Sequence, residues 1–179
     1  MQNFVHLHCH SEYSLLESPI RIKELVAKAV EYNMPAIALT DNANFYGAIE
    51  FYKQAKDAGI KPILGVDIYL CDDMKVKQRF QSRLLLYAKS DKGYQQLIAL
   101  ITKAHLEGMY YKPRLDLNAL EALATDDLIA ISPGGRGPIA VAIQSHQDDF
   151  AKTQAQRLAT IFNQNFYLGV QRSKQSHED

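Results

Sequence analysis

Short runs of apolar residues alternate along the chain with longer stretches in which apolar positions recur every three or four residues. The runs are FVHLH (4–8), AIALT (36–40), PILGVDIY (62–69), RLLLYA (83–88), LIAIS (128–132) and FYLGV (166–170). Each is short, bounded by turn residues and without a helical period, so each reads as a strand. Ser18-Pro19 opens a stretch with Ile22, Leu25, Val26, Ala29 and Val30 at helical spacing, ended by Pro35; Ser supplies a cap and Pro suits the first turn. Further helices are expected over 46–58, stopped by Gly59, from a Ser90 cap to about His105, briefly after Asp116, and over 148–162.

Strand and helix therefore alternate, and uninterrupted apolar strands are the kind that a sheet covered by helices buries. The expected fold class is α/β, with about six mostly parallel strands in an open doubly wound sheet or an incomplete barrel. A charged loop, DDMKVKQRFQS (72–82), separates the third and fourth strands, and SKQSHED (173–179) reads as a frayed polar end.

Composition narrows this picture. At 179 residues and 47% hydrophobic content, the chain fits one domain of ordinary size. Twenty basic residues balance twenty acidic ones, so any hold on nucleic acid or an anionic membrane must come from a local patch or a partner. The chain has no signal-peptide pattern, no apolar run of membrane-spanning length and no CxxC pair, since Cys9 and Cys71 stand far apart. A reducing, cytoplasmic setting is the expectation. Neither G-x-G-x-x-G nor G-x-x-x-x-G-K-[ST] is present, which removes the usual phosphate cradles of nucleotide-binding open sheets.

Candidate chemistry gathers at strand ends. His6, His8 and His10 recur at every second position and would point one way from an extended strand. Two such imidazoles can close on one metal ion, and zinc usually adds a carboxylate; Asp41 ends the second strand, Asp67 the third, and Glu17 follows the first. In parallel α/β folds reactive groups collect at strand carboxyl ends. A lone His there is usually a hydrogen-bonded structural residue, whereas this constellation favours a metal site or its remnant. Cys9 alternates away from the histidines and reads as a small core residue, and His105, His146 and His177 as surface or capping residues. Tyr110–Arg114 could stack bases, with packing and a turn the plainer reading; SPGGRG (132–137) is a glycine-rich turn that offers amides and an arginine to an anion.

The stretches HLHCHSEYSLLE (6–17), PAIALTDNANFYGAIEFYKQAKDAGIKPILGVDIYL (35–70) and LLLYAKSDKGYQQLIALITKAHLEGMYYKPRLD (84–116) resemble the N-terminal PHP (polymerase and histidinol phosphatase) domain of bacterial DNA polymerase III alpha subunits. The resemblance implies a distorted (β/α)7 barrel with a cleft for several divalent metals at the strand carboxyl ends, where metal-activated water attacks a phosphoester. It assigns His8 and His10 to the HxH pair, Glu17 to an acidic ligand of the next loop, and Asp67 to a position usually Glu. His6 matches a position that need not be a ligand, and Asp41 matches the TD of a TDH motif.

The departures matter as much. Asn42 stands where that motif has His, the Ser82-Arg83 region replaces a further His, and SPGGRG replaces a metal-binding Cys or His. Arg83 or Arg136 in the cleft would repel a cation and could substitute for one electrostatically. The partial set is expected to hold no ion tightly, and at most one zinc or manganese; magnesium belongs to the parent polymerase. The resemblance further implies a single PHP domain over 1–179 that stops before its last strand, a piece of a longer polymerase chain. The expected role is a scaffold that supports the remainder of that alpha chain, docks the proofreading exonuclease subunit and meets DNA through the parent protein, with no membrane partner. The alternative is an active metal-dependent phosphoesterase, a 3′-5′ exonuclease or a histidinol-phosphatase-like enzyme.

Overall fold

The structure, a computed structural model, describes residues 4–79 and 81–170; the polar end 173–179, with His177, lies outside the described residues. Its elements are α1 (Ile22–Glu31), β1 (Ala36–Leu39), α2 (Ala48–Asp57), β2 (Lys61–Leu70), β3 (Ser82–Ala88), α3 (Asp91–Leu106), β4 (Met109–Tyr110), β5 (Lys112–Leu115), α4 (Leu117–Leu123), β6 (Leu128–Ser132), α5 (Pro138–Gln144), α6 (Asp148–Phe162) and β7 (Phe166–Leu168). The sheet order is β4-β5-β2-β3-β6-β7, with β1 also on β2. The long β2 pairs with β1 through its first half and with β5 at its end. β3 is antiparallel to both β2 and β6, and β6 is parallel to β7. Hence β1, β2, β5, β6 and β7 run one way, and β3 and the two-residue β4 run the other.

Alternation along the paired strands gives the sheet two unlike faces. On one side, Val66, Ile68 and Leu70 of β2, Leu84 and Leu86 of β3, and Leu128 and Ala130 of β6 pack with Leu97, Leu100, Leu158 and Phe162 of the helices in the main core. On the other side, the register sets Gly65 against Tyr87, Asp67 against Leu85 and Tyr69 against Arg83. This inner face carries the charged and aromatic residues, with Ile129 and Ile131 of β6 opposite Tyr87 and Leu85. A Cβ on Gly65 would come within 2.6 Å of the Tyr87 ring, so glycine there is what lets the ring lie across the inner face. The Tyr87 hydroxyl then donates to the Leu7 carbonyl at 2.6 Å and pins the N-terminal segment.

Three expectations change. Phe4–His8 is extended but forms no regular strand. Ala38 N–H donates to His6 O and Thr40 N–H to Cys9 O, so three residues of the segment oppose two of β1 and the ladder slips. The first helix begins at Ile22 with no side-chain cap; the Ser18 hydroxyl instead donates to His10 O at 2.8 Å and accepts from Ile20 N–H. Tyr110–Arg114 is no simple turn, because Tyr111 joins the two short antiparallel strands β4 and β5. By contrast Ser90 caps α3 by accepting from Gly93 N–H, and Asp116 caps α4 by accepting from Ala119 N–H.

The two oxygens of Asp116 are both used, Oδ1 by Ala119 N–H at 2.8 Å and Oδ2 by Met74 N–H at 3.2 Å. Asp116→Ala is expected to lower stability by about 1–2 kcal/mol, read as a shift of the urea unfolding midpoint at unchanged slope.

Candidate functional site

The cleft is assembled around Asp67, which β2 delivers to the inner face with a fully buried side chain. Beyond β1 the chain stays beside β2: Asp67 N–H donates to Asp41 O and Ala43 N–H to Asp67 O. Asp41 itself does not face the ligand cluster, because its carboxylate accepts from Ser11 N–H, Ser11 Oγ and Ser14 Oγ, each at 2.7 Å. Its work is to anchor the loop that carries His10 at one end and Glu17 at the other.

His8 Nε2 lies 3.0 Å from Asp67 Oδ2 and His10 Nε2 lies 3.3 Å from the same oxygen. The two imidazoles meet edge to face with centroids 5.0 Å apart. On the opposite side of the carboxylate, Arg83 Nε donates to Asp67 Oδ1 at 3.2 Å and Arg83 Nη1 to Glu17 Oε2 at 3.2 Å. Tyr69 packs its ring against the guanidinium, 4.7 Å from Cζ to the centroid, and donates its hydroxyl to Glu17 Oε1. Lys112 approaches Glu17 to 4.0 Å from the solvent side.

This geometry sets the charges. Burial alone would push the Asp67 carboxyl up, but His10, His8 and Arg83 outweigh it and hold it below the ordinary carboxylate range. Glu17 is likewise lowered, burial being overcome by Arg83 and Tyr69. Arg83 is held firmly charged, its burial offset by Asp67 first and then by Tyr69 and Glu17. Cys9, half-buried beside α1, is pushed up to about 11 by burial, which disfavours its thiolate.

His8, His10 and Asp67 place one ligand atom each within 4.8 Å of one another, two nitrogens and an oxygen of the type zinc accepts. Among the described residues His10 Nε2 is buried without an aligned hydrogen bond. The set fits one divalent cation on the Oδ2 side. A second cation between Asp67 Oδ1 and Glu17 does not fit, since the Arg83 guanidinium already holds both carboxylates.

Other predicted residues sit elsewhere. His6 is exposed and edge-on to Phe4, turned from the cluster by the slipped ladder. Asn42 adjoins Asp67 through an isolated bridge, and its side-chain amide is buried without an aligned hydrogen bond among the described residues. Arg136 makes no contact with Asp67 or Glu17 among the described residues: its carbonyl accepts from Arg83 N–H at 2.8 Å, while its exposed side chain lines an opening that it shares with His8. Sequence reasoning missed Tyr69, Ser11 and Ser14, and placed Lys112 in the Tyr110–Arg114 cluster rather than beside Glu17; the spacing of Tyr69, two residues beyond Asp67 and so on the same face of β2, was the signal that could have found it.

A buried carboxylate between paired histidines and an arginine, on the inner face of a mixed, mostly parallel sheet covered by helices, defines an α/β domain with a histidine–carboxylate cluster of metal-ligand type. The family model described as the PHP domain matches residues 6–173, and the chain belongs to that family. Within it, the similar curated proteins are DNA polymerase III alpha subunits: 40% identical over 175 residues in Borreliella burgdorferi and 39% over 181 residues in Chlamydia trachomatis. These matches take in 94% and 98% of this chain but only 15% and 14% of those proteins. Among solved structures, a putative metal-dependent phosphoesterase from Bifidobacterium adolescentis matches with a TM-score of 0.43 at 18% identity, covering 56% of this chain and 32% of that one.

Removing Arg83 leaves the buried Asp67 with only the two histidines at Oδ2 and, among the described residues, no partner at Oδ1. Arg83→Met is expected to cost about 3–5 kcal/mol at neutral pH. Because the folded pKa of Asp67 is lowered, the pair's contribution is full above the ordinary carboxylate value of about 4 and is lost as pH falls through the folded value. The stability gap between the parent chain and the variant should therefore be widest near neutrality and shrink toward acid, read by urea titrations across that range.

Proposed function

We propose that this chain acts as the PHP domain of a DNA polymerase III alpha subunit and serves there as a scaffold whose cleft no longer turns over a phosphoester. The observation that carries the reading is the Arg83 guanidinium lying between Asp67 and Glu17. Hydrolysis with paired ions needs a carboxylate that bridges them, and Asp67, among the described residues the one acid in contact with both histidines, spends its second oxygen on arginine. The site is thereby held together by a side chain rather than by a cation. In this role the domain supports the remainder of the alpha chain, docks the proofreading exonuclease subunit and meets DNA through the parent protein, whose own chemistry uses magnesium.

The setting is cytoplasmic and reducing, in keeping with two free cysteines among the described residues. No helix among those residues is long and apolar enough to cross a membrane.

A second reading, a working metal-dependent phosphoesterase, draws on the convergence of His8, His10 and Asp67 and on the 42% exposure of the His8 side chain. Metal analysis after dialysis, with His8→Ala as control, and hydrolysis of a phosphodiester in added zinc or manganese separate the two. The scaffold reading expects less than one retained equivalent and no turnover above that of the control. Stoichiometric metal lost in the variant, together with turnover, would establish the enzyme instead.

A further inference from the structure

Arg114 is a second buried arginine, 1% exposed, and among the described residues it has no carboxylate partner. Its Nε donates to Gly108 O, one Nη to Val76 O and Gln78 O, and the other to Met74 O, with the Tyr110 ring 5.4 Å away. Burying a guanidinium without a counter-ion is costly, and here only carbonyl dipoles offset the cost. Three of those carbonyls come from alternate residues of one loop, so the arginine fixes the course of residues 74–78. Met74 gives the loop one apolar anchor on the main core, whereas Val76 is half exposed.

With the carbonyls of 74, 76 and 78 turned inward, the exposed Lys75, Lys77 and Arg79 stand on a fixed frame, and none has a carboxylate partner among the described residues. Tyr111 stands beside them at φ +60 with 74% of its surface exposed. A left-handed backbone is strained for an aromatic residue, and it holds the ring in solvent, edge-on to Tyr110 and 5.2 Å from the Arg79 guanidinium. Lys112 continues the surface to the cleft rim through its contact with Glu17. Within residues 72–79, Lys75, Lys77 and Arg79 outnumber Asp72 and Asp73, whose carboxylates accept from Gln81 Nε2 and from Lys75 N–H, which leaves a modest local excess of positive charge on a chain with no net charge.

We propose that this face is a contact surface for single-stranded nucleic acid, with Lys75, Lys77 and Arg79 taking phosphates and the Tyr111 ring offering a stacking platform for an unpaired base. An acidic protein would be served by the cations alone, and a duplex would leave the ring without a base face; the pairing of exposed ring and fixed cations suits a single strand. The inference is independent of whether the cleft hydrolyses anything.

The test is fluorescence anisotropy of a labelled oligothymidylate of about 20 nucleotides with the 179-residue chain, at salt concentrations upward from about 50 mM. All substituted side chains are exposed, and the variants should melt with the parent. Lys75→Ala, Lys77→Ala and Arg79→Ala together should flatten the slope of log affinity against log salt by about 2. Tyr111→Ala should weaken binding about fivefold or more with the slope unchanged, and Tyr111→Phe should restore it. Absence of binding at the lowest salt, equal binding of a poly-glutamate peptide of matched charge, or full affinity in Tyr111→Ala would each overturn the proposal.

Discussion

A carboxylate taken wholly out of water must be met by positive charge or hydrogen-bond donors, and the cleft of this chain is organised by that demand at Asp67. One oxygen faces His8 and His10, and the other faces Arg83. The antiparallel register of β2 and β3 puts Arg83 opposite Tyr69 and diagonal to Asp67, close enough for an ion pair and for the guanidinium to lie on the ring. Glu17, brought in by a loop that Asp41 fastens through two serines, balances the remaining charge. The cluster is thus a product of strand pairing: shift β3 by one residue and Arg83 turns to the helix-covered face.

The same division between faces explains how the domain stays folded around a polar interior. Hydrophobic stabilisation comes from the helix-covered side, where Leu84, Leu86, Leu97, Leu100, Leu158 and Phe162 are all fully buried. The inner side holds a smaller apolar group around Ala38, Leu85 and Tyr87. It is therefore free to carry charged residues, and it does so only where each has a partner. Arg114 follows the same logic in a different way, holding a loop by its carbonyls rather than an acid by its charge.

Much of this was legible from the residues. Continuous apolar runs marked β1, β2, β3, β6 and β7; β1, β3 and the second half of β2 are buried on both faces and leave no polar alternation, while β7 is apolar yet largely exposed, and Gly59, Ser90 and Asp116 marked helix ends through local chemistry that needs no distant partner. The failure of the expected strand at Phe4–His8 was not legible, since its ladder depends on how His6–Cys9 meets β1 across some thirty residues of sequence. β4, β5 and α5 are too short for periodicity to register. At the site, spacing brought His8, His10 and Asp67 into view. Asp41 misled because an aspartate that ends a strand reads alike whether it holds an ion or two hydroxyls, and Arg136 because only its carbonyl, not its guanidinium, reaches Arg83.

The central claim is that the Arg83 guanidinium occupies the space between Asp67 and Glu17 and leaves no room there for a metal ion. Anomalous diffraction at the zinc and manganese edges, from crystals of the chain soaked in an excess of either ion, tests it most directly. The account predicts any peak to lie on the His8 and His10 side of Asp67, with Arg83 still within hydrogen-bond distance of both carboxylates. A peak between Asp67 and Glu17, with Arg83 swung away, would contradict it.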